Sequence, residues 1–141
     1  VLKNLDPTLP IYVHKSDYPA AEAGFGDSVT LDQFEQQIHF YDEGDKIPLG
    51  QAEITVIHTP GHTPGGVCLM VEDCLFTGDT LFCSSCGRTD LPSSNPKDLL
   101  RSLRRLSQLD GNLIIYPGHE QYSILDQERQ FNPFMRYAME G

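Results

Sequence analysis

The sequence predicts an α/β (α+β) fold in which short strands come first and helices gather towards the end. Three observations support this prediction. The 141 residues are enough for one domain with a core of its own. The first half contains apolar runs of strand length separated by turn-forming residues, and the second half contains leucines at helical spacing. We therefore expect a single domain over residues 1–141, with strands that carry polar side chains to one edge of a sheet.

The predicted strands are short apolar runs that end at turns or glycines. The run that ends at His58 partly alternates apolar and polar side chains, as a half-buried strand does. Glu72-Asp73 separates two apolar runs and predicts a hairpin, and Asp42 to Asp45 predicts a turn. The predicted strands are Ile11 to His14, Ile38 to Tyr41, Ala52 to His58, Val67 to Val71, Cys74 to Thr77 and Leu113 to Tyr116.

The clearest predicted helix begins after Asn95, a suitable N-cap followed by a proline at the first helical position. Its apolar positions have helical spacing: Leu99, Leu100, Leu103 and Leu106. From Gln121 the chain is helical in character, with a break at Asn132-Pro133. A short helix is also expected over Tyr18 to Ala23, and a helical turn over Leu31 to Gln37. The residues before Pro10 resemble the tail of a helix, so we expect a further segment before Val1.

Composition limits the classes of partner. The formal net charge of −10 disfavours nucleic acid, which is bound through clustered Lys and Arg. No run is long and apolar enough to cross a membrane, and no signal peptide is evident. The four cysteines follow no disulfide pattern, which favours a reducing, cytoplasmic setting. Cys83 and Cys86 form a lone C-x-x-C, a weak signal for structural zinc or for a redox pair.

His62 is the first candidate metal ligand. It lies in H-T-P-G-H-T-P-G (His58 to Gly65), where two Pro-Gly pairs bracket the histidine and constrain the backbone. The alternative is a histidine that only satisfies a turn. His58, four residues earlier, is a weaker ligand candidate, and we expect it to stabilise the turn by hydrogen bonding.

Asp79 and His119 are the other two candidates. Asp79 follows an apolar run and a glycine in F-T-G-D-T-L-F, so it should emerge where a strand ends. His119 closes Y-P-G-H-E after another predicted strand, and Glu120 beside it could cap the next helix or orient the imidazole. A carboxylate can hold one metal or bridge two, whereas the alternative role of Asp79 is a turn cap. We expect His14 and His39 to be structural.

These residue types suit hydrolysis at a bound metal. Zinc readily takes imidazole nitrogen and carboxylate oxygen, and a bound metal lowers the pKa of its water towards neutrality. The sequence has no G-x-S-x-G motif and no phosphate-binding glycine loop that would indicate another mechanism.

Taken together, the motifs resemble the metallo-β-lactamase superfamily, and most of all its glyoxalase II (hydroxyacylglutathione hydrolase) branch. The resemblance runs from about Ile11 to Phe134 and includes T-P-G-H-T-P-G, F-T-G-D-T-L-F with C-G-R-T-D, Y-P-G-H-E and E-R-Q-F-N-P-F. It implies an αββα sandwich with a two-metal centre at the sheet edge. It also implies hydrolysis of a small thioester by metal-bound hydroxide, with zinc as the metal, or else iron or manganese.

The resemblance assigns a role to each candidate. It implies that His62 ligates one metal, that His119 ligates the other, and that Asp79 bridges both and is the catalytic carboxylate. It further implies that Arg88 and Asp90 are structural and tie the loop after Asp79 to the sheet.

The sequence departs from the family pattern in two ways. The H-x-H-x-D-H motif of the family is absent, so we expect an N-terminally truncated, partial domain that is inactive or weakly active by itself. Only 22 residues follow His119 (141 − 119), too few for the helical glutathione-binding domain of true glyoxalase II. Truncation should expose an apolar sheet face, which predicts self-association or pairing with the missing N-terminal part.

Two alternative functions remain open from the sequence. One is an iron-dependent enzyme similar to persulfide dioxygenases, which share the G-R-T-D stretch and the ligand order. The other is a non-catalytic module that retains the fold, which the missing motif favours and the intact settings of the three ligands disfavour. β-Lactamase, lactonase and ribonuclease activities fit less well.

Overall fold

The computed structural model of the chain describes residues 6–18 and 36–141. Three predicted elements lie wholly or mostly outside these residues: the helix tail at the start of the chain, the short helix over Tyr18 to Ala23 and the helical turn over Leu31 to Gln37. Within them, the element order confirms a mixed α/β fold. None of the helices in the described part has the length and apolar character to span a membrane.

The strands form one large sheet and two small ones. β1 (Ile11–His14) pairs in parallel with β2 (Ile38–Tyr41). The large sheet has the order β10-β9-β6-β5-β4-β3, and only the β6–β9 pair is parallel. Its strands are β3 (Lys46–Leu49), β4 (Ala52–His58), β5 (Val67–Val71), β6 (Cys74–Gly78), β9 (Ile114–Pro117) and β10 (Ser123–Ile124). β7 (Leu81–Phe82) and β8 (Ser85–Cys86) form a small hairpin beside it.

The second half of the chain contains three helices, the first before β9 and the other two after β10. They are α1 (Pro96–Ser107), α2 (Leu125–Phe131) and α3 (Pro133–Glu140). The side chain of Asn95 accepts hydrogen bonds from two backbone N–H groups of the first turn of α1, as the sequence predicts. Asn132 caps α3 in the same way and is followed by Pro133.

The hydrophobic core lies between one face of the large sheet and the helices. The sheet contributes Ile57, Cys68, Leu75 and Ile115, and the helices contribute Leu99, Leu103, Leu106, Met135 and Ala138. Burying each of the larger side chains stabilises the fold by roughly 1.5–3 kcal/mol before entropy is counted. This packing fixes the large sheet, and with it the loops at the strand ends.

The structure differs from the sequence-based predictions at several elements, and neither β7 nor β8 was predicted. The edge strand β3 was not predicted; it contains Pro48, which an edge position tolerates because one row of backbone groups there needs no partner. The segment after Gln121 is not yet helical, because Ser123 and Ile124 first pair with β9. Glu120 therefore does not cap the next helix; α2 has Ile124 at its N-cap position, with no side-chain capping bond.

Candidate metal centre

Asp79 lies directly after β6, at the sheet edge where the sequence places it. Glycines make room for it on two sides. A Cβ added at Gly87 would come within 1.8 Å of the Asp79 carbonyl oxygen, and one at Gly118 within 2.7 Å of Asp79 Oδ1. Real Cβ atoms do not approach other atoms that closely, so the close packing around the Asp79 backbone requires glycine at position 87, and that around its carboxylate requires glycine at position 118.

His62 is held by a loop that hydrogen bonds to the start of α1. The hydroxyl of Ser94 donates to the His62 carbonyl oxygen (2.7 Å), and the backbone N–H of Asn95 donates to the Gly61 carbonyl oxygen (2.7 Å). Gly61 has φ +144°, and a Cβ there would meet the Leu99 backbone at 2.4 Å. The loop is therefore fixed against the N-terminal end of α1.

A residue distant in sequence also holds this loop. The carboxylate of Asp17 accepts from the Thr63 hydroxyl (2.7 Å) and from the backbone N–H of Gly65 (2.7 Å). Sequence reasoning did not identify Asp17 as part of the site, because it lies 46 residues before Thr63 and in no motif.

The hydrogen bonds of His62 determine which of its nitrogens faces the site. Nδ1 lies 2.8 Å from the Arg88 carbonyl oxygen, which can only accept, so Nδ1 carries the proton. In the neutral imidazole, Nε2 then presents a lone pair, and it points at Asp79 Oδ2 from 3.5 Å. Two acceptors that face each other repel unless a cation lies with them. This arrangement suits a metal ligand.

His119 approaches the other oxygen of the same carboxylate. It follows β9, and its Nε2 lies 3.3 Å from Asp79 Oδ1. The rings of Phe82 and His119 pack edge to face, with their centroids 5.7 Å apart. The His119 side chain is 70% exposed, so it is open to solvent on its other side.

The three predicted residues thus meet at one place, with the carboxylate between the two imidazoles. Together they line a cavity of about 340 Å³ that also touches Phe82 and Arg88. Each histidine faces a different oxygen of Asp79. Imidazole nitrogens and a carboxylate are donors that could hold a divalent metal such as zinc or iron.

A second histidine cluster lies beside the loop and has a structural role. The rings of His14 and His58 stack face to face at 4.3 Å, and His14 Nε2 lies 3.0 Å from Asp42 Oδ1. One possible metal-ligand atom from each of His14, His58 and Asp42 lies within 4.8 Å of the other two. A metal lies in the plane of each imidazole that binds it, and parallel stacked rings share no such point.

His58 instead stabilises the turn, as the sequence predicts. Its Nε2 donates to the Pro64 carbonyl oxygen at 2.9 Å, because a carbonyl can only accept.

The C-x-x-C pair gives no sign of a zinc site in the described residues. Cys83 and Cys86 are free thiols, and they join no group of three or more close metal-binding side chains among residues 6–18 and 36–141.

Arg88 contributes to the site through its backbone. Its guanidinium forms a two-point ion pair with Asp90 (2.6 and 2.8 Å), and this pair lowers the pKa of Asp90 to about 2. Both side chains are well exposed and pair with each other. The prediction that they tie the loop to the sheet was therefore wrong for the side chains. The Arg88 carbonyl makes the functional contact, and a backbone group carries no sequence signal.

Comparison with known proteins gives a family match. The family model described as "Metallo-beta-lactamase superfamily" matches residues 6–119. An uncharacterized protein of Mycobacterium leprae is 37% identical over 140 residues, which cover 89% of this chain and 64% of that protein. This chain thus spans less than two thirds of the length of that curated relative.

Two relatives have names that state an activity. Hydroxyacylglutathione hydrolase GloC of Haemophilus influenzae is 36% identical over 74% of this chain and 51% of its own length. The mitochondrial persulfide dioxygenase ETHE1 of Mus musculus is 37% identical over 70% of this chain and 41% of its own length. Among solved structures, TTHA1623 in a di-iron-bound form has a TM-score of 0.73 and 32% identity, over 89% of this chain and 65% of that one.

Proposed function

Because this chain belongs to the metallo-beta-lactamase superfamily, we propose that it forms the later part of a hydrolase metal centre of the glyoxalase II type. In this proposal, the full-length protein hydrolyses a small thioester. The 141 residues by themselves are inactive or weakly active, because the first ligands of the centre lie outside them. Members of the superfamily are mostly metal-dependent hydrolases or related enzymes, which supports this proposal.

The observation that carries the proposal is the position of Asp79. One carboxylate oxygen lies 3.5 Å from His62 Nε2, and the other lies 3.3 Å from His119 Nε2. The carboxylate oxygens of a turn-capping aspartate would accept hydrogen bonds from backbone N–H groups, whereas both oxygens of Asp79 face imidazole nitrogens. This geometry supports a carboxylate that bridges two cations.

The residues of the chain then have distinct roles. His62 and His119 would each hold one metal, and Asp79 would bridge the pair and keep the two positions at a fixed separation. A metal bound there supplies Lewis-acid chemistry and acidifies a coordinated water. The Arg88 carbonyl keeps the His62 proton on Nδ1, so that Nε2 remains available as a ligand. Zinc is our proposed metal, with iron or manganese as the alternatives.

A thioester substrate is supported by the similarity to hydroxyacylglutathione hydrolase GloC. The similarity to persulfide dioxygenase ETHE1 and to a di-iron-bound structure favours a second candidate, an iron-dependent persulfide dioxygenase. The cytoplasm is our proposed location for either enzyme, supported by four cysteines that are all free thiols.

Activity measurements separate the two candidates. A chain extended to the length of the relatives should hydrolyse a glutathione thioester and should consume no oxygen with glutathione persulfide. Asp79→Ala should lower that hydrolysis by about 10³-fold or more with the fold retained, because both metal positions lose their shared ligand. Oxygen uptake with persulfide and no thioesterase activity would favour the dioxygenase. An Asp79→Ala enzyme with full activity would contradict both.

The second face of the large sheet suggests what completes the molecule. Phe76 and Tyr116 stack there at 5.3 Å, and Tyr122 lies beside them; their side chains are 45%, 39% and 69% exposed. Such an apolar face favours a covering element. We propose that it is covered by the N-terminal part of the full-length protein or by a second copy. A concentration-independent monomer in analytical ultracentrifugation would exclude the second copy.

A further inference from the structure

Two buried polar residues near the end of the chain have no part in the metal centre described above. Glu128 is 1% exposed and Asn132 is 0% exposed, and both belong to the E-R-Q-F-N-P-F segment. Burying a carboxylate and an amide is costly unless their hydrogen bonds are satisfied, so their partners indicate what the burial achieves.

Glu128 accepts hydrogen bonds from three parts of the chain. Its Oε2 accepts from the backbone N–H of Ser84 (2.9 Å) and from Asn132 Nδ2 (2.8 Å), and its Oε1 accepts from the Ser123 hydroxyl (2.7 Å). Within residues 6–18 and 36–141 it forms no ion pair. The carboxylate therefore accepts hydrogen bonds from uncharged donors alone among the described residues, and it links α2 to the turn between β7 and β8.

Asn132 uses both ends of its amide. Oδ1 accepts from the backbone N–H groups of Phe134 (2.9 Å) and Met135 (3.2 Å), which caps α3. Nδ2 donates to the carbonyl oxygens of Ser85 (3.0 Å) and, more weakly, Phe82 (3.3 Å), besides Glu128. The side-chain oxygen of Asn132 thus caps α3, and its nitrogen holds the β7–β8 hairpin.

The hairpin in turn forms one wall of the metal centre. Phe82 contacts the His119 ring by an edge-to-face arrangement at 5.7 Å. The chain leaving the hairpin passes Asp79 at Gly87 and then presents the Arg88 carbonyl to His62 Nδ1 at 2.8 Å. A movement of this wall would therefore change the surroundings of both histidines.

We propose that Asn132 and Glu128 are positioning residues for the metal centre. By clamping the β7–β8 hairpin, they fix the Arg88 carbonyl against His62 and the Phe82 ring against His119. The relevance of this clamp to catalysis rests on the proposed function. Its effect on the two histidines does not, and it can be measured in the chain without metal.

The simpler alternative is that Asn132 is only a helix cap. Asn132→Asp separates the two roles, since the carboxylate retains the cap oxygen but replaces the donor with an acceptor that faces two carbonyls and Glu128. Asn95→Asp is the matched control. Asn95 Oδ1 caps α1 in the same way (3.0 and 3.2 Å), and its amide nitrogen has no hydrogen-bond partner within the described ranges.

Two variants at Glu128 test the other half of the clamp without touching either cap. Glu128→Gln keeps an acceptor for Ser84 and Asn132, and its amide nitrogen can donate to the Ser123 hydroxyl, which rotates to accept. Glu128→Met removes every acceptor and retains most of the volume. We expect Glu128→Gln to behave like the wild type and Glu128→Met to behave like Asn132→Asp.

The deciding measurement is the imidazole ¹⁵N NMR spectrum of His62 in the metal-free chain at mildly alkaline pH, followed by titration with Co²⁺ alone. In the wild type, in Asn95→Asp and in Glu128→Gln, we expect the tautomer with the proton on Nδ1. In Asn132→Asp and Glu128→Met, we expect mixed tautomers and Co²⁺ affinity lower by about 10-fold or more.

The clamp is overturned if Asn132→Asp lowers only the thermal stability, by no more than Asn95→Asp does, and leaves the His62 tautomer unchanged. If Asn132→Asp does not fold, the Glu128 pair decides by the same spectrum. If a chain extended to the length of the relatives binds no Co²⁺, but the His62 tautomer of this chain still depends on Asn132, the clamp stands and the proposed function fails.

Discussion

At the scale of single residues, the candidate centre depends on small side chains as much as on ligands. Asp79 can lie between two imidazoles because Gly87 and Gly118 leave space for its backbone and its carboxylate. Gly118 also donates its backbone N–H to the Gly78 carbonyl oxygen at 2.7 Å, which joins the two strand ends that carry Asp79 and His119. The segment Pro117-Gly118-His119 thus supplies a candidate ligand, His119, and also leaves room for the Asp79 carboxylate.

Gly118→Ala should displace the Asp79 carboxylate, because the added Cβ would lie 2.7 Å from Oδ1 and 3.0 Å from the Gly78 carbonyl oxygen. We expect divalent metal affinity to fall by about 10-fold or more and the free energy of unfolding by roughly 1–3 kcal/mol. Gly141→Ala is the control, since its Cβ would meet nothing nearer than 4.0 Å. Equal metal affinity in the two variants, by calorimetric titration, would contradict this packing argument.

The sequence indicated the three ligand candidates because each stands in a local motif. What it could not indicate were their partners. Asp17 and the Arg88 carbonyl reach the His62 loop only through the fold. Hydrogen bonds between segments that are far apart in sequence leave no local pattern, and a carbonyl is present at every residue.

At the scale of elements, α1 supports the metal centre from outside it. The Glu43 carboxylate, in the turn before β3, pairs with the Arg105 guanidinium and accepts from the backbone N–H of His58 (2.7 Å). Arg105 also donates to the His58 carbonyl oxygen at 3.3 Å. These contacts link the turn and the last turn of α1 to the end of β4, where the His62 loop begins.

The Glu43–Arg105 pair predicts a pH-dependent stability difference. The hydrogen bond from Arg105, followed by that from the His58 backbone, lowers the pKa of Glu43 below its ordinary value of 4.5 despite partial desolvation. A lowered folded-state pKa stabilises the fold above the ordinary value, and this contribution is lost as the pH falls through the lowered one.

Arg105→Met should therefore cost about 0.2–1 kcal/mol near neutral pH, because both side chains are partly exposed to solvent. The cost should shrink as the pH falls below 4.5. Arg104→Met is the matched control: it removes the same charge from the same helix, where Arg104 is exposed and forms no ion pair within the described part of the chain. Urea unfolding at several pH values checks this, and a pH-independent difference between the variants would contradict it.

Elements with strong local signals were predicted well. The hairpin of β5 and β6 and the capped helix α1 have turn residues, periodicity and an N-cap within a few positions of one another. β3 and β10 were missed, because their strand character depends on pairing with a neighbour; β10 has only two residues, and β3 contains a proline. Local propensity cannot show which edge of a sheet is available.

At the scale of the whole molecule, the site is assembled from three strand ends of one sheet. β4, β6 and β9 finish near one another, and they deliver His62, Asp79 and His119 with the first helix behind them. The chain spans 64% of the Mycobacterium leprae relative, and one sheet face carries exposed aromatic rings. Both facts support our proposal that a further part of the protein completes the fold and the ligand set.

The central claim is that Asp79 serves two metal positions and each histidine serves one. The most direct test is a Co²⁺ titration of this chain, followed by visible absorption, with His39→Ala as a control because His39 is exposed on β2. We predict that Asp79→Ala weakens binding more than either His62→Ala or His119→Ala does, and that His39→Ala binds as the wild type does. Wild-type affinity in Asp79→Ala, or an equal loss in His39→Ala, would contradict the account.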